Sequence, residues 1–188
     1  MNINNQFVSI ILAVFNSENY LENSIKSILN QTYKNFEFII INDGSTDNSD
    51  EIIKSYQIKD QRIMYLINKE NIGLTRSLIK AIEKSKGEII FRQDADEISS
   101  PKRIAEQLTL FNNKSIVAIG SNSLAIYPNK SKIEWGFIDE QQIKKIVNLK
   151  TIFPHGTSSF RKNIYFDVGG YDLNFLTCQD FDLWNKLI

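Results

Sequence analysis

Glu88-Ile89-Ile90-Phe91-Arg92-Gln93-Asp94-Ala95-Asp96 decides how the rest of the chain is read. Its apolar start reads as a buried strand, and its end delivers two carboxylates one residue apart. On an extended backbone successive side chains point to opposite faces, so Asp94 and Asp96 share a side and can converge on one cation. Two such carboxylates repel by roughly 4 kcal/mol at about 4 Å and an effective dielectric near 20, which asks for a positive group between them. Hard oxygen ligands suit magnesium or manganese, above all when a diphosphate supplies further oxygens. The plainer reading is an Asp-rich turn at a strand end.

Working outward, Val8-Ser9-Ile10-Ile11-Leu12-Ala13-Val14 is nearly continuous apolar sequence, the mark of a central parallel strand buried on both faces. It runs through Phe15-Asn16-Ser17-Glu18 into a helix with Leu21, Ile25, Ile28 and Leu29 on one face. The pattern repeats with a strand at Phe36–Ile41, a polar turn from Asn42 to Asp47, and a helix marked by Ile52, Ile53 and Tyr56, for which Asp47 and Asp50 resemble a capped start. Arg62 to Ile67 gives a third strand, and Leu74, Leu78 and Ile82 a third helix ending near Gly87. The fourth strand delivers Asp94. This alternation predicts an α/β fold, a Rossmann-like three-layer sandwich with a mainly parallel central sheet. Beyond it, Pro101 suits the first residue of a helix carrying Ile104, Leu108 and Phe111. Ile116–Gly120 and Leu124–Tyr127 read as strands, Pro128–Lys132 as a turn and Asp139–Leu149 as a short helix. Turns follow at Pro154-His155-Gly156 and Gly169-Gly170, and a helix starts near Gln179. Residues 1–188 are read as one domain that stops inside this helix, a truncated end.

Composition narrows the function. Lys plus Arg equals Asp plus Glu at 22 each, so no global field draws nucleic acid or an acidic membrane. Cys178 is the only cysteine, which excludes an internal disulfide and a cysteine-based zinc site and points to a reducing compartment. The first residues lack a signal-peptide pattern, and the apolar run Ile10 to Phe15 is far too short to cross a bilayer.

In an open parallel sheet, ligands bind beyond the carboxyl ends of the strands. The loops there carry Phe15 and Asn16, then Asp43, then Asn71 to Arg76, then Asp94 and Asp96. Ala13-Val14-Phe15-Asn16-Ser17 stands where a dinucleotide fold would show its glycines, and no P-loop occurs, so phosphates must be met by a metal and side chains.

Taken in order, Ala13-Val14-Phe15-Asn16, Asn42-Asp43-Gly44-Ser45-Thr46-Asp47, Asn71-Ile72-Gly73-Leu74, Arg92-Gln93-Asp94-Ala95-Asp96, His155 with Phe160-Arg161, Val168-Gly169-Gly170-Tyr171-Asp172 and Gln179-Asp180 resemble a family 2 glycosyltransferase of the GT-A fold. That resemblance implies transfer of a hexosyl or N-acetylhexosaminyl unit, with inversion, from a UDP-sugar to a saccharide or lipid-linked saccharide acceptor in bacterial surface polysaccharide or oligosaccharide synthesis. It implies that Asp43 binds uracil, with Ala13 and Phe15 walling the base; a carboxylate oxygen can accept from the imide N–H. Arg76 would reach the base or the diphosphate, as a fork donor suits phosphate. Asp96 would be the principal ligand of manganese or magnesium, with Asp94 meeting ribose or the metal through water. Asp180 would be the catalytic base, and His155 would lie near the donor phosphates or acceptor.

Each role has a plainer counterpart: a turn for Asp43, a solvated helix face for Arg76, a helix N-terminal acid for Asp180 and a packed loop residue for His155. Cys178 reads as a pocket-wall residue. Trp135 and Trp184 could stack on sugar, although buried aromatics default to core. Departures from the family pattern are Gln179 for Glu, Asn42 for Asp, Ala13 for Pro or Thr, Phe15 for Tyr, and Glu97 for a third Asp. A sugar-nucleotide pyrophosphorylase would need a Gly-rich, Arg-bearing loop after the first strand, which is missing. A donor-binding core without transferase activity is the remaining alternative. The expected location is cytoplasmic, with peripheral contact to the inner face of the plasma membrane through residues beyond Ile188.

Overall fold

The computed structural model describes residues 5–127, 130–133, 141, 151–175 and 177–187. The chain alternates β1 (Val8–Val14), α1 (Glu18–Leu29), β2 (Phe36–Asn42), α2 (Ser49–Gln57), β3 (Ile63–Ile67), α3 (Leu74–Lys84), β4 (Ile89–Gln93) and α4 (Arg103–Leu110). There follow β5 (Ala118–Ile119), the hairpin strands β6 (Leu124–Tyr127) and β7 (Lys130–Ile133), β8 (Ser159–Arg161), α5 (Lys162–Asp167) and α6 (Gln179–Leu187). The main sheet has the order β3-β2-β1-β4-β8-β5. β1, β2, β3 and β4 run parallel, while β8 is antiparallel to both β4 and β5.

Side-chain alternation explains the three layers. Val8, Ile10, Leu12 and Val14 of β1, with Phe36, Phe38 and Ile40 of β2, meet α1, α2 and α4 through Leu21, Ile25, Ile53, Ile104 and Leu108. Ile11, Ile39, Ile41 and Ile90 face the other way, onto α3, α5 and α6 through Leu78, Ile82, Tyr165, Leu183 and Trp184. A strand covered on both faces is apolar at nearly every position, which is why β1 and β2 read as apolar runs broken only by Ser9, Glu37 and the terminal Asn42, Ser9 donating to Glu37 at 2.6 Å. Each fully buried Ile or Phe contributes about 1.5–3 kcal/mol, so this sheet is the rigid support for the loops at its edge.

The chain advances from β1 outward to β3, then crosses back to place β4 on the other side of β1. The crevice beyond the ends of β1 and β4 is therefore the switch point at which such sheets bind ligands.

Several expectations need correction. β4 ends at Gln93, and Glu97 N–H donates to the Asp94 carbonyl at 3.3 Å, so Asp94 to Glu97 form a turn and strand alternation does not set the directions of Asp94 and Asp96. Pro101 precedes α4, its carbonyl accepting from Thr32 N–H, and the first helical residue is Arg103. β5 is only Ala118–Ile119, paired with Phe160 and Ser159 of β8, and Lys130 to Lys132 pair with β6 in place of turning. The helix expected at Asp139–Leu149 and the residue Trp135 lie outside the described residues, Gln141 apart. Among the described residues no helix is long and apolar enough to cross a membrane.

Candidate functional site

The loops after β1 and β2 are laced together. Asn16, at a left-handed φ of 48°, donates its backbone N–H to Ser45 Oγ and accepts from Thr46 N–H on Oδ1. Asp47 accepts from both Glu18 N–H and Ser49 N–H, so one carboxylate serves the starts of α1 and α2, the physical content of the capped start expected there. Phe15 is 46 % exposed beside the half-buried Ala13, leaving one ring face open at the edge.

Asp43 is buried, 3 % exposed, and heavily engaged. Its Oδ1 accepts from Asn68 Nδ2 at 2.8 Å and Ile72 N–H at 3.0 Å, and its Oδ2 from Gly73 N–H at 2.9 Å. A carboxylate offers about four acceptor sites, so one remains on Oδ2. Lys80 Nζ donates to Asn68 Oδ1 at 2.6 Å, which fixes the amide orientation because a lysine can only donate. Asp43 thus does more than form a turn: it sets the course of the loop that leads to Arg76. Arg76 itself is exposed in the first turn of α3, with no hydrogen-bond or ionic partner among the described residues.

Gly44 brings the second and third loops together. Its φ is +72°, and an added Cβ would stand 2.5 Å from the backbone carbon of Glu70. Gly44→Ala is expected to cost on the order of 3 kcal/mol, combining left-handed strain with overpacking. A thermal melt showing an unchanged midpoint would contradict that close approach.

The acidic loop rests on a buried polar floor. Arg92 is fully buried and pairs with Asp94 Oδ1 through Nη2 at 2.6 Å. The positive group demanded by these carboxylates is therefore supplied in part by the chain itself. Arg103, also buried, donates to the Arg92 carbonyl and to Gln93 Oε1, and Ser24 of α1 donates to the Asp94 carbonyl at 2.8 Å. Asp96 is exposed, and neither of its oxygens has a partner among the described residues. Glu97 lies behind it: burial and the Asp94 carboxylate push its pKa up to about 7. A Cβ on Gly156 would fall 2.2 Å from Glu97 Oε2 and 2.6 Å from Asp94 Oδ2, so only glycine lets the His155-Gly156 turn lie under both carboxyls.

These donors fit a hard divalent ion of low protein ligand count. Asp96 offers two free oxygens and Asp94 one, while no group of three His, Cys, Asp or Glu forms a full cage among the described residues. Magnesium and manganese suit such a half-built shell, because they keep water and phosphate oxygens as ligands.

His155 stands on the far side of Arg92. Its Nε2 lies 2.6 Å from the buried Tyr171 hydroxyl and 3.4 Å from Arg92 Nε, and its ring meets Trp184 edge-on at 6.1 Å. Burial, with the Arg92 cation beside it, holds the imidazole well below its usual pKa range. The unfolded chain then binds a proton that the fold does not. The contribution is fully present above about pH 6.5 and is lost as pH falls, by up to about 1.4 kcal/mol per unit. Denaturant midpoints at pH 7 and 5.5 should differ accordingly, with a shallower difference in His155→Gln.

Asp180 lies in the first turn of α6, directly after the exposed Cys178 at φ 59°. Exposure makes Cys178 a surface residue of this turn. Burial pushes the pKa of the Tyr171 hydroxyl up, so it stays protonated against His155. Trp184 is core, packed on Phe153.

The edge thus carries Ala13 and Phe15 at the end of β1 itself, with Asp43 on one side and Asp94, Asp96 and His155 on the other, because Val14 pairs with Asn42 and Leu12 with Gln93. Arg76 approaches only through the loop that Asp43 holds. Arg92, Asn68 and Tyr171 were missed as site residues. An arginine inside a buried apolar strand was a usable signal, since such a charge needs a partner nearby. Clefts of about 640 Å3 against α4 and β5, and about 540 Å3 at the opposite end of the strands, lie away from these loops.

A three-layer sheet with acidic and polar loops at its switch point defines the GT-A class of fold. It superposes with a TM-score of 0.77 on S. aureus TarS 1–349 in complex with UDP, at 16% identity, over 96% of this chain and 54% of that one. The Pyrobaculum calidifontis mannosyltransferase PcManGT, in complex with GDP-Man and Mn2+, gives 0.75 at 17% identity over 96% and 51%. Residues 9–170 match the model described as Glycosyl transferase family 2. The Escherichia coli O-antigen biosynthesis glycosyltransferase WbnJ is 34% identical over 185 residues, 96% of this chain and 71% of the relative. An uncharacterised glycosyltransferase of Methanocaldococcus jannaschii is 33% identical over 187 residues, and the chain spans 64% of its length. The chain belongs to glycosyl transferase family 2.

Proposed function

We propose that this protein is an inverting, metal-dependent glycosyltransferase that moves a sugar from a UDP-sugar to an acceptor hydroxyl. The observation that carries the reading is the placement of Asp43 and of Asp94 with Asp96 on opposite sides of the end of β1. Two strand spacings, roughly 10 Å, separate them, a span that suits a nucleoside with its base at one end and its diphosphate at the other. The remaining acceptor site on Asp43 Oδ2 matches the single imide N–H of uracil, whereas guanine presents adjacent N–H donors that ask for both oxygens. Phe15 covers the base and Arg76 meets phosphate.

Asp96, with Asp94, would hold the manganese or magnesium ion, which supplies charge neutralisation for the departing diphosphate. Asp180 takes the proton of the acceptor hydroxyl as that oxygen bonds to the anomeric carbon. The sugar–phosphate bond breaks on the opposite face, and UDP leaves with the electron pair. One base suffices, because a direct displacement needs no second catalytic carboxylate.

The name of the E. coli relative, an O-antigen biosynthesis glycosyltransferase, supports a role in surface polysaccharide synthesis. A thermal-shift panel of UDP-sugars and GDP-mannose, each with manganese, tests the donor class, since a ligand of the folded state raises its stability. Stabilisation by GDP-mannose and by no UDP-sugar would overturn the assignment of the base.

A further inference from the structure

We propose that Arg92 is a positioning residue that joins the metal-facing carboxylate of Asp94 to the His155–Tyr171 pair, locking both sides of the site in one arrangement. The guanidinium is fully buried and every one of its nitrogens is used. Nη2 holds Asp94 Oδ1, Nη1 donates to the carbonyls of Gln93 and Ile11, and Nε faces His155 Nε2.

Two consequences follow from the donor chemistry. With Oδ1 bonded to Arg92, Oδ2, which lies beside Gly156, is the Asp94 oxygen without a hydrogen-bond partner among the described residues, so the carboxylate is held in one orientation. Arginine never accepts, so His155 Nε2 must carry its lone pair toward Arg92 and the ring proton must sit on Nδ1. Tyr171 then shares that single lone pair, donating its hydroxyl proton to Nε2 at 2.6 Å, the shorter of the two contacts. That bond pins the segment after Gly169-Gly170, while Trp184 of α6 packs against the same imidazole. The groups facing His155 are thus Arg92 from β4, Tyr171 from the segment after α5 and Trp184 from α6, the helix that starts with Gln179 and Asp180. Arg103 supports Arg92 from below through the Arg92 carbonyl.

The inference rests on the donor-site reading for Asp94, but its first test does not need a donor. His155 is the only histidine, so its two ring nitrogens can be observed without assignment by 15N–1H correlation. The expected result at pH 7.5 is the Nδ1–H form with Nε2 as acceptor. An Nε2–H form would overturn the arrangement and leave the donor reading intact. Magnesium with UDP should then shift the His155 ring signals of the wild type, whereas UDP binding by calorimetry with unmoved signals would contradict the coupling.

Arg92→Lys, which keeps the charge and loses the fork, should weaken metal-dependent UDP binding about 10- to 100-fold, the range for partners that orient a metal ligand, and should abolish the single tautomer. Arg92→Lys with wild-type affinity and tautomer would refute the positioning role. Failure of UDP to bind wild-type protein, with the Nδ1–H form present, would strike the donor reading alone.

Discussion

Asp96→Ala is expected to abolish metal-dependent UDP binding and to leave the stability of the fold unchanged to within about 0.5 kcal/mol. The second half follows from its surroundings: Asp96 is exposed and has no partner among the described residues, the condition under which a substitution is close to neutral for folding. The first half follows from its two free oxygens beside the only remaining oxygen of Asp94. Asp94→Ala behaves in the opposite way. It strands the buried Arg92, which costs about 3 kcal/mol because a charge is left without its counter-ion, yet it removes only one outward oxygen. Its loss of UDP binding should therefore be smaller than that of Asp96→Ala. Calorimetry and denaturant melts on the same two proteins separate these effects. Equal loss of binding in both would show that the two carboxylates share one role.

Asp180→Asn reduces sugar transfer by about 10²- to 10⁴-fold, the range for loss of a general base, while UDP affinity stays at the wild-type value. The amide keeps the shape and the helix-start position of the carboxylate and removes only its capacity to take a proton. The split between turnover and donor binding distinguishes this from a structural role. A helix N-terminal acid that merely met the α6 dipole would leave transfer nearly intact when replaced by Asn. Loss of UDP binding in step with transfer would place Asp180 in the donor site.

Sequence pattern was most informative where both faces of an element are buried. Val8 to Val14 and Phe36 to Ile41 are legible as strands because a central strand has no exposed position and is therefore largely apolar; β2 runs one residue further, to Asn42. Polar connections were harder. The turn at Asp94 to Glu97 is closed locally by a backbone hydrogen bond and by Gln93, but it is anchored by Ser24, 70 positions away, a contact that no local pattern encodes. Pro101 was assigned to a helix start on local preference, but tertiary pairing of its carbonyl with Thr32 moved the start to Arg103.

The site residues were legible as types and not as arrangements. Asp43 and Asp94 stand at strand ends as read, whereas the partnership of Asp43 with Asn68 depends on β3 pairing beside β2, and that of Asp94 with Arg92 on the burial of the end of β4. His155 illustrates the limit most clearly, since its lowered pKa comes first from burial in the packed fold and then from Arg92, 63 positions away.

The central claim is that the carboxyl edge of this sheet holds a nucleoside diphosphate through a divalent ion on Asp96. Calorimetric titration of UDP into the 188-residue chain, with manganese and with the metal removed, tests it directly. The expected result is saturable one-site binding with manganese that is lost on chelation and absent in Asp96→Ala. UDP binding of equal strength in all three, or none in the wild type with manganese, would contradict it.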